Sequence, residues 1–116
     1  MKQIAVGLIK GRHSMPVENY IFDHIEDVHE YSAMESAIVN WLDTHMTLGY
    51  VYGQGINQCG YEDVQIMASE EELCVYVTGL TPVVASLIKV CALRGISLTL
   101  MNYDTSTGAY VEQNIF

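Results

Sequence analysis

The sequence predicts an α/β (α+β) domain: a mixed, mostly antiparallel sheet with two helices and one βαβ crossover. Three observations lead there. The apolar period switches twice from strand-like runs to helical spacing and back. Between Leu73 and Tyr103 a strand, a Gly- and Pro-containing turn, a helix and a second strand follow one another, an order that favours a right-handed parallel crossover. The other strands lie close together in the chain, as hairpin partners do, so the rest of the sheet is expected to be antiparallel.

Each element has its own local reason. Gln3–Lys10 is rich in Ile, Val and Leu and reads as a first strand, broken by Gly11 to Pro16. Tyr20–Ile25 reads as a short second strand. Over Asp27–Met46 the period changes, and Met34, Ile38, Trp41, Leu42 and His45 follow the i, i+3, i+4, i+7 rule of an amphipathic helix. Ser32 with Glu35 three residues on suggests a capping box, and Gly49 a stop. Tyr50–Tyr52 leads into the Gly-rich stretch Gly53–Gly60, read as a loop around at most a weak strand. Asp63–Ala68 and Leu73–Val77 are strand-like about a charged turn. Thr81–Arg94 is helical again, with Val84, Leu87, Ile88 and Cys91 on one face and Gly95 behind it. Ile96–Tyr103 and Ala109–Ile115 close the chain as a hairpin over Asp104–Gly108. Both helices are expected on one face of the sheet.

The 116 residues suit a single domain, 1–116, and half of them are apolar, enough to build a core. Fourteen carboxylates against five basic side chains give a formal charge of −9. That balance argues against a long nucleic acid, whose binding needs clustered Lys and Arg, and against anionic membranes. A small phosphorylated ligand stays open, because it needs only one locally positive pocket. No run approaches the ~18–20 apolar residues of a membrane span. Cys59, Cys74 and Cys91 have neither pairing nor metal spacing, which fits a reduced, cytoplasmic protein.

The sharpest local signal is Val75 to Pro82. Thr81 suits an N-cap and Pro82 the first helical position, while Gly79 permits a turn or a close approach. Such a junction aims N–H groups outward at the positive end of a helix dipole, at the carboxyl edge of a parallel strand, and suits an anion. Thr78, Gly79, Leu80 and Thr81 are therefore the candidate pocket wall. A well-capped helix start serves folding equally well. The second signal is Lys10-Gly11-Arg12-His13, a cationic cluster in a chain with few cations. Arg12 could grip a phosphate through two hydrogen bonds, with His13 beside it; a solvated loop is the plain alternative. Asn102 and Tyr103 end the strand after the second helix and would neighbour the Thr78 turn. Asn102 could read a base or ribose edge, or simply form the turn. Among the tyrosines, Tyr50, Tyr52, Tyr61, Tyr103 and Tyr110 could each stack on a base or serve as half-buried sheet residues.

Catalytic signals are sparse. His13, His24, His29 and His45 are scattered, and His24 and His29, five apart, would not share a face of a strand or a helix. The acidic run Asp23, Glu26, Asp27 and Glu30 reads as solvated surface. The sequence calls for no metal, no cofactor and no catalytic residue.

Two strings carry a resemblance. Val6–His13 with Met15-Pro16-Val17 and Tyr20-Ile21-Phe22, together with Tyr76–Pro82 and the closing Leu98–Gln113 hairpin, resemble the type-one Thoeris anti-defence proteins of phages. That resemblance implies a sponge that sequesters a cyclic ADP-ribose isomer, and in some members cyclic oligonucleotides, without cleaving it. It implies a homodimer or higher homo-oligomer in the cytoplasm of a bacterial host. Sites of that family lean on arginine, whereas this chain has only Arg12 and Arg94. Two other classes compete: a ring nuclease that degrades a cyclic oligoadenylate, and an acidic protein-interaction inhibitor.

Overall fold

The computed structural model describes residues 2–11, 14–46, 50–56, 62–66 and 71–116. In chain order these form β1 (Lys2–Ile9), β2 (Tyr20–Phe22), α1 (Tyr31–His45), β3 (Tyr50–Ile56), β4 (Glu62–Ile66), β5 (Glu71–Val77), α2 (Thr81–Arg94), β6 (Ser97–Asp104) and β7 (Ala109–Asn114). The element order matches the alternation of periods in the sequence. Five strands make one mixed sheet in the order β2-β1-β5-β6-β7, and β3 and β4 form a separate two-stranded ribbon.

The pairing directions correct the expectation of a mostly antiparallel sheet. In the five-stranded sheet β1 runs parallel to both β2 and β5, and β5 runs parallel to β6; β6 with β7 is the antiparallel pair. β5 and β6 are neighbours, and α2 is the chain between them. The misreading lies at β1 and β2. Their short separation suggests a hairpin, but a hairpin needs only two to five residues. The longer link here lets the chain turn back as far as the level of Gly7, so β2 enters in the same direction as β1 beside its last residues, with Gly7 opposite Tyr20 and Ile9 opposite Phe22.

Side-chain alternation then sorts the sheet into two faces. Val6 and Leu8, Leu73, Val75 and Val77, and Leu98 and Leu100 share one face, and all are buried. They form one core with Met34, Ile38 and Leu42 of α1 and Val83, Leu87, Val90 and Cys91 of α2. The two helices pack on each other over this face. Fully burying one such side chain contributes about 1.5–3 kcal/mol. The buried stripe of α2 is rotated from the expected one: Val83 and Val90 are buried, while Val84 and Ile88 are half-buried. In α1, Trp41 is half-buried and stacks on the exposed His45, ring centroids 4.4 Å apart.

Both helix starts differ from the expected caps. The N-cap of α1 is Glu30, whose carbonyl accepts the Met34 amide at 3.1 Å, so Ser32 lies inside the first turn. The N-cap of α2 is Leu80 rather than Thr81, and neither helix has a side-chain cap bond. Part of the Gly-rich stretch is strand, because Tyr50–Ile56 pairs with Glu62–Ile66 and the register shifts between Tyr52 and Ile56. Glycines tolerate such an irregularity. Residues 57–60 of that stretch lie outside the described residues.

Candidate functional site

In an open sheet with parallel strands, connections that leave two neighbouring strands in opposite directions open a crevice at their carboxyl ends. β1 and β5 meet this condition. Val6 pairs with Val75 and Gly7 with Tyr76, so both strands end at the same edge. From there β1 leads outward to β2, while β5 leads through α2 to β6 on the other side. The Thr78–Thr81 turn and the Lys10–Gly11 turn therefore follow neighbouring parallel strands at one edge of the sheet, the place where such a crevice forms. Arg12 and His13 lie outside the described residues. Lys10 is exposed, and its amide donates to the Phe22 carbonyl at 3.0 Å.

The turn after β5 is unusual in its backbone. Gly79 has φ 63°, and the next residue, Leu80, is also left-handed, with φ 55° and ψ 60°. A side chain in that region costs roughly 1–2 kcal/mol, and Leu80 is the one non-glycine residue with positive φ among those described. Its half-buried side chain packs against the core, which holds the conformation in place. Space around Gly79 is open, since a Cβ there would meet nothing within 4 Å. Fewer amides face outward than a plain helix start would offer. Those of Val83 and Val84 both donate to the Leu80 carbonyl, at 3.0 and 3.2 Å, and Pro82 has none. The amides that could meet an anion are those of Gly79, Leu80 and Thr81.

Thr78 supplies the second feature. It is 9% exposed, and its Oγ1 is buried with no hydrogen-bond partner. A buried hydroxyl left unpaired costs about 1–3 kcal/mol. Because Val77 faces the helices, Thr78 continues the opposite face, the one that carries Cys74 and Tyr76. One step beyond the Val77–Asn102 pair, the same register sets Thr78 beside Tyr103.

That helix-free face gathers tyrosines. Tyr103 and Tyr110 are direct partners across β6 and β7, with ring centroids 5.3 Å apart, and Tyr76 meets Tyr110 edge to face at 4.9 Å. Tyr20 reaches in from the far edge: its ring lies against Gly7, where a Cβ would come within 2.5 Å of Cε1, with Met15 Sδ at 3.0 Å. The hydroxyl of Tyr110 is buried and, like that of Thr78, has no partner. Its pKa is raised first by burial, then by the charges of Tyr103, Tyr20 and Tyr76. Gly7 is register partner to Tyr20 on one side and Tyr76 on the other, so the Tyr20 ring over Gly7 extends the patch from the β2 edge.

The expected residues are thus only partly brought together. Thr78 and Tyr103 share one face at one end, with Gly79, Leu80 and Thr81 above them. Asn102 does not join them: it alternates to the helix side, and its amide donates to Gln113 at 2.8 Å. The Leu80 side chain is structural. Arg94 is excluded by position, because it ends α2 and donates to Asp43 at 3.0 Å, at the opposite end of the helix from Thr81. Sequence reading placed Tyr20, Tyr76 and Gly7 in no site. A glycine inside an otherwise branched strand was the available signal, because it marks a close approach. Tyr50, Tyr52 and Tyr61, as side chains, lie outside the described residues.

One groove away from this turn is acidic. A groove beside α1 is lined by Phe22, His24 and Ile25 but also by Glu26, Asp27 and Glu30. Asp27 accepts the His29 amide at 2.8 Å, and among the described residues no three His, Cys, Asp or Glu side chains gather as a metal site would require. No helix is long and apolar enough to cross a membrane among the described residues. No family model matches the chain, and neither does any curated protein or solved structure.

Proposed function

We propose that this protein binds and sequesters a small cyclic nucleotide-type signal without cleaving it, with the Thr78–Thr81 turn as the phosphate-facing wall. One observation carries the reading: the Thr78 hydroxyl is buried and unpartnered at a doubly left-handed turn. That turn opens a helix at the β1–β5 crevice. Folding alone leaves this group unsatisfied, and a phosphate oxygen would satisfy it. The adjacent amides and the positive end of the α2 dipole would favour the same charge.

In this reading the backbone turn does more of the anion binding than arginine does, since Arg94 is committed to Asp43. Arg12 and His13, which follow β1 in the sequence, would add positive charge for the same ligand. The sequestering role, the homo-oligomer and the bacterial host cytoplasm rest on the resemblance to the anti-Thoeris sponges. The test is to incubate the protein with the cyclic ADP-ribose isomer or with cyclic oligoadenylates, heat-denature it, and analyse what is released. Intact ligand after heating supports sequestration, and cleaved product supports a ring nuclease instead. No depletion of any of them refutes the reading. Thr78→Val, which keeps shape and removes the hydroxyl, is expected to weaken capture at least tenfold.

A further inference from the structure

We propose that Tyr20, Tyr76, Tyr103 and Tyr110, on the helix-free face of the sheet, form a subsite for the planar aromatic base of the ligand, with the Tyr110 hydroxyl donating to an acceptor on it. This rests on the reading above, and adds that the ligand must carry a base as well as phosphate.

The geometry supports it in three ways. The four side chains come from three separate regions of the chain yet lie on one face, Tyr76 and Tyr103 against Tyr110 and Tyr20 over the Gly7 that pairs with Tyr76, and each is half-buried, so each retains an accessible part. Gly7 makes the convergence possible, because any side chain there would collide with the Tyr20 ring that crosses it. Finally, Tyr110 and Thr78 hold the two buried side-chain polar atoms without partners among the described residues, and both belong to this face at its carboxyl end. One lies among the rings and the other beneath the turn. A molecule with a base at one end and phosphate at the other matches that separation of chemistries.

The Tyr110 phenol, like any tyrosine at neutral pH, carries its proton and can donate. A base offers ring nitrogen and carbonyl acceptors together with a π-face, and stacking on tyrosine contributes whichever base is present. Reaching the Tyr110 hydroxyl requires a flanking ring to swing aside, which gives the test its sharpest arm.

The experiment compares ADP-ribose with ribose 5-phosphate as probes, by calorimetry and by ring resonances of 13C-labelled tyrosine, on wild-type, Tyr110→Phe and Thr78→Val chains. ADP-ribose is expected to bind at least tenfold tighter than ribose 5-phosphate and to shift tyrosine resonances. Tyr110→Phe should erase most of that preference while leaving the melting temperature unchanged or higher, because it deletes an unpaired buried hydroxyl. A merely structural hydroxyl would not lose the preference. If the two probes bind equally and Thr78→Val weakens both, the aromatic subsite is wrong and the phosphate wall stands. An ADP-ribose preference that survives Tyr110→Phe overturns the assignment of that hydroxyl. Binding of neither probe at millimolar concentration overturns both readings.

Discussion

Replacing Gly7 by alanine tests the packing on which the tyrosine patch depends. An added Cβ would lie 2.5 Å from Tyr20 Cε1, with Cδ1 equally in the way, and 3.0 Å from Met15 Sδ. Carbon atoms prefer about 3.5–4.0 Å, so the Tyr20 ring must move by roughly 1 Å or more. The backbone at Gly7 cannot yield, because it is paired with Tyr20 on one side and Tyr76 on the other. Overpacking of this kind costs about 1–3 kcal/mol. For a chain of this size, that corresponds to a fall in Tm of roughly 5–15 °C. Urea unfolding followed by circular dichroism would measure it, with Tyr20→Ala and the double variant closing a cycle. The cost of Gly7→Ala should largely vanish in the Tyr20→Ala background. If Gly7→Ala leaves stability within about 0.5 kcal/mol of wild type, or if the two changes simply add, the ring does not lie on Gly7 as described.

Three further outcomes are expected. Leu87→Ala, at a fully buried position between helix and sheet, should lower the unfolding free energy by about 2–5 kcal/mol with an unchanged denaturant slope. At the β6–β7 turn, Asp104 accepts from the Ser106 amide and hydroxyl and from the Thr107 hydroxyl, at 2.9, 2.7 and 3.1 Å, and these bonds hold its pKa below the ordinary carboxylate value. The ionised form is the one the fold favours, so the contribution is present above the unfolded value and is lost as pH falls through the lowered one. The stability difference between wild type and Asp104→Ala should accordingly be present at pH 6 and fade in strong acid; a difference independent of pH would refute the role. Burial pushes the Cys91 thiol up to about 12, so native protein at pH 8 should resist iodoacetamide at Cys91, as mass spectrometry of tryptic peptides would show.

Much of the chain was legible because its signals are local. Thr81–Arg94 could be bounded to the residue by Pro82 at one end and Gly95 at the other, and Gly95 is indeed the left-handed C-cap, with φ 66°. The closing hairpin was readable from Gly108, which also has positive φ. What stayed hidden depends on distant partners. Nothing near Tyr20 says that it will run parallel to β1, and nothing near β1 says that β5 will be its other neighbour. Without that register, Tyr20, Tyr76 and Tyr110 are three unrelated tyrosines. The cap residue slipped by one position because Leu80, an unlikely sequence choice for a left-handed turn, is held there by packing rather than by propensity. Asn102 does lie near the end of its strand, beside Val77 and next to the Thr78 turn, but which face its side chain takes is set by the register with β5, which no local signal gives.

The position of β5 at the centre of the sheet bears on how the chain is assembled during synthesis. β1 emerges from the ribosome early, yet its long partner follows only after α1 and the β3–β4 ribbon, and β2 offers it three residues. The segment from β5 through β7, by contrast, is contiguous, and each of its strands pairs with the next. Local pairing closes faster than distant pairing. The last part of the chain to be translated should then be the first to order, with the oldest strand docking on it afterwards, and until that happens β1 presents an unpaired apolar edge to a chaperone.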